Sequence, residues 1–106
     1  MISTTTIIIT RPSMHNHPFF YDSKYYTDNR ANFKPYYDNS VLAGDILSYS
    51  EKISENGLTL TRVLTFVDAV AKQNYCDTFY SAFPEYLSIR QNYCNSMGHT
   101  LQVIEA

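Results

Sequence analysis

The sequence predicts an α+β chain, with four antiparallel strands in one sheet and helical segments on one face. Three observations carry this. Residues 46–67 read as a hairpin whose arms pair consistently about Asn56-Gly57. Residues 69–97 carry apolar side chains at three- and four-residue spacing, the helical period. The segments 4–10 and 99–105 are short runs of strand-forming residues near the two ends.

The first strand is predicted over Thr4–Thr10. Ile7-Ile8-Ile9 puts apolar groups on both of its faces, which suggests a strand covered on both sides. Arg11-Pro12 ends it. Half of the chain's aromatic residues then fall between Phe19 and Tyr37. Asp22 or Ser23 would cap a short helix there, with Tyr21, Tyr25 and Ala31 or Phe33 along one face. Pro35 is expected to stop that helix, and Asp38-Asn39-Ser40 to form a turn or cap. Val41-Leu42-Ala43 then leads through Gly44 into the hairpin.

A type I′ turn at Asn56-Gly57 fixes the hairpin register. Ile53 faces Leu60, Glu51 faces Arg62, Tyr49 faces Leu64 and Leu47 faces Phe66 on one side. Lys52–Thr61, Ser50–Val63, Ser48–Thr65 and Ile46–Val67 pair on the other. A slip of one residue would exchange the faces.

Asp68 is a natural N-cap for a helix carrying Val70, Ala71, Asn74, Tyr75 and Phe79. Ser81-Ala82-Phe83 breaks it. Pro84 suits the first position of a continuation, with Glu85 beside its N-terminal dipole. Tyr86, Ile89, Arg90, Tyr93 and Met97 continue the stripe, and Gly98 suits the position after the helix end. His99–Glu105 alternates as the last strand. The order β, α, β, β, α, β is that of the split βαβ, or ferredoxin-like, arrangement, in one domain spanning residues 1–106.

Composition narrows the function. Hydrophobic residues make up 44% of the chain, enough for a core. A net charge of −2 offers no cationic surface for a phosphate backbone, so no nucleic-acid partner is expected. The longest aliphatic run is Ile7-Ile8-Ile9, against the roughly 20 residues that cross a bilayer, so no membrane partner is expected either. No basic, then apolar, leader is visible at the start. Cys76 and Cys94 read as reduced thiols of an intracellular protein.

The run from the hairpin into Phe66-Val67-Asp68-Ala69, and on to Arg90, Tyr93, Gly98 and a final strand, resembles the dimeric α+β barrel superfamily, to which antibiotic-biosynthesis-monooxygenase-type domains belong. That resemblance implies sheets paired face to face. It further implies a cleft between sheet and helices, lined by Tyr49, Leu64, Phe66, Tyr86 and Tyr93, that serves cofactor-independent chemistry in many relatives. Thr10-Arg11-Pro12 before Pro18-Phe19-Phe20, with Ser54–Phe66, is similar to small domains encoded by tailed bacteriophages. This second resemblance implies a place in a virion or in the host cytoplasm.

Few residues announce chemistry. His15 and His17 would need His99 or Asp22 to form a metal site, and the plainer reading is a polar loop. Cys94 and His99 lie five residues apart across a helix end, and the thiol reads as filler. Glu51 and Arg62 form a cross-strand charge pair or an interface pair. The aromatic block serves as core, as a partner surface or as a stacking pocket. No catalytic residue, cofactor or metal ligand is assigned. The expectation is a non-enzymatic structural or interaction protein, a homo-oligomer or part of an assembly. It would join through its sheet face and through Tyr21, Tyr25, Tyr26, Tyr36, Tyr37, Glu51 and Arg62. A small-molecule binder or monooxygenase-like enzyme is the alternative, and a regulatory inhibitor of a host protein a third reading.

Overall fold

A computed structural model of the chain describes residues 1–14 and 16–106. Its elements are β1 (Ser3–Thr10), a single 3-10 turn at Phe20–Asp22, α1 (Lys24–Leu42), β2 (Ile46–Ile53), β3 (Thr59–Phe66), α2 (Ala69–Ala82), α3 (Tyr86–Met97) and β4 (Thr100–Glu105). The sheet is antiparallel in the order β2-β3-β1-β4, so the two end strands of the chain pair with each other. This is the ferredoxin-like arrangement expected from the sequence.

Alternation decides which side of the sheet is covered. Ile7 and Ile9 of β1, and Leu60, Leu64 and Phe66 of β3, are buried beneath the helices. Thr4, Thr6 and Ile8 point the other way, in register with Thr65, Val63 and Thr61 of β3. Val63 and Ile104 flank Thr6 on its two neighbouring strands. The helices leave this Thr-rich face open.

Three expectations need correction. First, Pro35 does not stop α1 but lies inside it. Pro35 itself is exposed, while Phe33 packs its ring 5.4 Å from Phe79 and 4.7 Å from Phe83. Anchoring on both sides of the proline outweighs the one helical hydrogen bond it removes. Asp38-Asn39-Ser40 is therefore helical, and the chain turns at Gly44, whose φ is +81°. Second, the hairpin turn is not type I′, because φ is positive at Gly57 and not at Asn56. The Gly57 amide instead donates to the Ser54 carbonyl (2.9 Å), and Asn56 Oδ1 accepts from the Leu58 amide (3.0 Å). This loop keeps the predicted register from Ile53–Leu60 to Ser48–Thr65. Third, a bulge between Ile46 and Ser48 ends that register. Ile46, not Leu47, faces Phe66 and is buried, and Leu47 is turned out to solvent.

The caps follow the sequence. Ser23 Oγ accepts from the Tyr26 amide (3.2 Å) at the start of α1, and Asp68 Oδ1 from the Ala71 amide (2.8 Å) at the start of α2. Gly98 takes the left-handed conformation after α3. The second crossover carries two helices, parted at Phe83 to Glu85.

Packing divides into two clusters. The larger contains Ile9, Phe20, Phe33, Phe79 and Tyr86, and the smaller contains Ile46, Leu64, Phe66 and Ala71. Phe20 is fully buried, with four ring neighbours edge-on to it at 5.5–5.8 Å.

Candidate binding cavity

Members of both clusters wall a cavity of about 320 Å³ between the sheet and the helices. Its floor is the covered sheet face: Thr5 and Ile7 of β1, Tyr49 of β2, and Arg62, Leu64 and Phe66 of β3. Helix α1 contributes Tyr26, Arg30, Phe33, Lys34 and Tyr37. Helix α2 adds Tyr75, Cys76, Phe79 and Tyr80, and α3 adds Tyr86 and Arg90. The wall is thus aromatic and cationic, and holds no Asp, Glu or His among the described residues.

Arg62 is fixed from the sheet. Its Nη1 donates to Tyr21 Oη (3.0 Å), and its guanidinium lies 4.9 Å from the Tyr21 ring centre and 5.1 Å from that of Tyr49. Burial works against its charge, but the surrounding phenols, Tyr21 foremost, outweigh this and hold its pKa above the ordinary value. The expected Glu51–Arg62 ion pair does not form. The two are opposite in register, yet Glu51 accepts from the Tyr49 hydroxyl. Ion pairs among the described residues are Lys24–Asp28, Lys34–Asp38 and Lys72–Glu105. Among the described residues neither Arg62 nor Arg90 has a carboxylate partner. Three residues that line this space each carry a buried polar atom with no hydrogen-bond partner among the described residues: Thr5 Oγ1, Arg62 Nε and Arg90 Nε.

The buried phenols of Tyr26, Tyr75, Tyr80 and Tyr86 stay protonated at physiological pH. Burial raises the pKa of Tyr26 and Tyr80, pushes Tyr75 up to about 12, and lifts Tyr86 well above its usual range. Burial and the bond to Glu51 raise Tyr49. The Cys76 thiol is likewise raised by burial, away from a reactive thiolate. Such a wall can bind and orient a ligand through cations, hydroxyl donors and ring faces.

Of the side chains expected at an interface, Tyr26, Tyr37 and Arg62 meet at the cavity, with Tyr21 buried behind Arg62. Tyr25 donates instead to Glu85 Oε1 (2.8 Å) and Tyr36 packs on Phe83 at 5.4 Å. Of the cleft residues implied by the family resemblance, Tyr49, Leu64, Phe66 and Tyr86 line it. Tyr93 does not; it packs on Phe20 and donates to the Pro18 carbonyl (2.9 Å). Arg90, Tyr75 and Tyr80 were not anticipated at the cleft. An arginine in the buried stripe of α3 was the signal for the first.

The histidine candidates lie elsewhere, and His15 falls outside the described residues. His17 Nδ1 is 3.1 Å from the Met97 carbonyl oxygen, and its ring centre is 6.5 Å from that of His99. Among the described residues no group of three His, Cys, Asp or Glu is placed to hold a metal. Cys76 and Cys94 are free thiols. No described helix is long and apolar enough to cross a membrane.

Comparison with known proteins places the fold. No family model and no curated protein matches the chain. Among solved structures it is similar to a dimeric ferredoxin-like protein from an uncultured marine organism, with a TM-score of 0.60 at 7% identity, covering 99% of this chain and 92% of that one. A Mycobacterium tuberculosis protein aligns at TM-score 0.40 and 13% identity, covering 98% and 92%. A Shewanella oneidensis protein aligns at 0.45 and 12%, covering 98% and 90%. The first likeness shows the ferredoxin-like fold. The bacteriophage resemblance gains no support from these comparisons.

Proposed function

We propose that this chain is a small-molecule-binding protein whose site is the cavity between sheet and helices. The observation that carries the reading is an aromatic-walled space of about 320 Å³ lined by residues whose buried donors find no partner among the described residues. That volume sits at the lower end of the roughly 300–1,000 Å³ of small-molecule sites. Unpaired buried donors are uncommon, because each forfeits its hydration without a return. A ligand bearing acceptors would supply the missing partners. The side chains present are suited to binding and orientation, and acid–base chemistry would need a proton acceptor brought by the ligand.

Thermal unfolding against a panel of flat aromatic compounds tests this. A true ligand stabilises by about 2.7 kcal/mol at a hundredfold excess over its Kd. Cys76→Phe, which fills the cavity from α2, is expected to abolish the shift. Compounds that shift the wild type and Cys76→Phe equally would place binding elsewhere and end the reading.

The second reading, assembly through the open sheet face, is favoured by one further observation. Ile8, Val63 and Ile104 form an apolar centre among threonines on a face no helix covers. The marine ferredoxin-like neighbour is described as dimeric. Homo-oligomerisation by this face is compatible with ligand binding on the other side of the same sheet.

A further inference from the structure

We infer that the ligand of this cavity is an aromatic carboxylate, its anionic group held between Arg62 and Arg90 and its ring among the tyrosines. This rests on the cavity-binding reading above and names the chemistry of what binds there.

Charge makes the argument first. Arg90 is only 8% exposed, and its Nε has no hydrogen-bond partner. Arg62, on β3, has spent Nη1 on Tyr21, and its buried Nε has no partner among the described residues. Both residues line the same cavity, Arg62 from the sheet and Arg90 from α3. Arg62 is supported by the Tyr21 and Tyr49 rings, whereas Arg90 is a buried cation with no counter-ion among the described residues, and such a charge is costly unless a partner offsets it. Elsewhere the described carboxylates near cations pair with lysines. Arg90 and Arg62 are thus left without a carboxylate among the described residues, available to an anion from outside.

Shape argues for a carboxylate on a flat body. An Arg Nε edge offers parallel donors to two oxygens in a plane, the geometry of a carboxylate. Thr5 Oγ1, also unpaired, adds a hydroxyl donor from the sheet. Around these groups stand the Phe33, Phe66, Tyr75 and Phe79 rings, which favour an aromatic body by edge and face contact.

The test is calorimetric titration of the full chain with 2-naphthoate, with its neutral counterpart 2-naphthamide, and with 2-naphthyl phosphate. The expected result is that naphthoate binds about 30-fold or more tightly than the amide, as loss of one member of a buried charge pair implies. Arg90→Lys keeps the charge without the fork and should weaken naphthoate more than it weakens the amide. Arg90→Gln should weaken naphthoate further. If either variant unfolds, the ratio of acid to amide on the wild type still decides. Equal binding of acid and amide, blocked by Cys76→Phe, would overturn the carboxylate assignment while sparing the cavity reading. Tighter binding of the phosphate would overturn it too, in favour of a phosphorylated ligand. Failure of all three probes would overturn the assignment, and failure of the aromatic panel besides would remove the cavity reading as well.

Discussion

Single side chains in this protein are governed by what burial does to their polar atoms. His99 shows it away from the cavity. Neither of its ring nitrogens has a hydrogen-bond partner among the described residues, and its ring is wedged against Phe19 and Tyr93. Burial lowers its pKa, and the nearby His17 and Arg11 lower it further. The unfolded chain therefore takes up this proton before the folded chain does. Stability should be unaffected by His99 above its ordinary pKa of about 6.5 and should fall as pH drops below it. Urea unfolding of the wild type at pH 7 and pH 5 should show this loss, and His99→Gln should show a smaller one. Equal losses would mean that other groups carry the acid sensitivity. Nothing in the order of residues marked His99 for this role, because it depends on rings contributed by Phe19 and Tyr93, 80 and six positions away. Arg62 and Arg90 were partly legible, each being a cation in a stripe otherwise bound for the core. That both would lack a carboxylate was not, since Glu51 reads as a partner for Arg62 until Tyr49 is seen to take it.

The secondary structure elements were more legible where local rules act alone. The N-caps Ser23 and Asp68, the left-handed Gly98 and most of the hairpin register follow from short-range chemistry and were readable. Helix α1 was misjudged because tertiary packing overrode a local breaker. Its hydrophobic contacts lie on both sides of Pro35, and the sequence between Asp22 and Gly44 does not reveal that Phe33 reaches Phe79 and Phe83. The proline should therefore be a cost that the helix bears. Pro35→Ala restores an amide donor in the interior of α1, and the expected gain is about 1–3 kcal/mol in chemical denaturation. A loss of stability would show that the proline shapes the helix to the core. The Ile46 bulge is the same kind of event: pairing favours Leu47 opposite Phe66, and the core selects Ile46.

The assembled fold has two usable faces of one sheet. One holds the cavity under the helices; the other is open and Thr-rich about Ile8, Val63 and Ile104. The fold class was predictable because the chain alternates strand and helical periods with few breaks. Which face would do what was not, since Ile7-Ile8-Ile9 only says that both are apolar. If the open face joins two copies, Val63→Lys should turn a dimer into a monomer by light scattering while leaving ligand binding in the cavity unchanged. A dimer that survives the substitution would move the contact to another surface. Ligand binding in the cavity is what the proposed function requires of the molecule. The most direct check is native mass spectrometry of the untagged chain after incubation with a mixture of small aromatic acids. One acid retained per chain by the wild type, and none by Cys76→Phe, is the predicted result. Bare mass in both, or the same adduct in both, would contradict it.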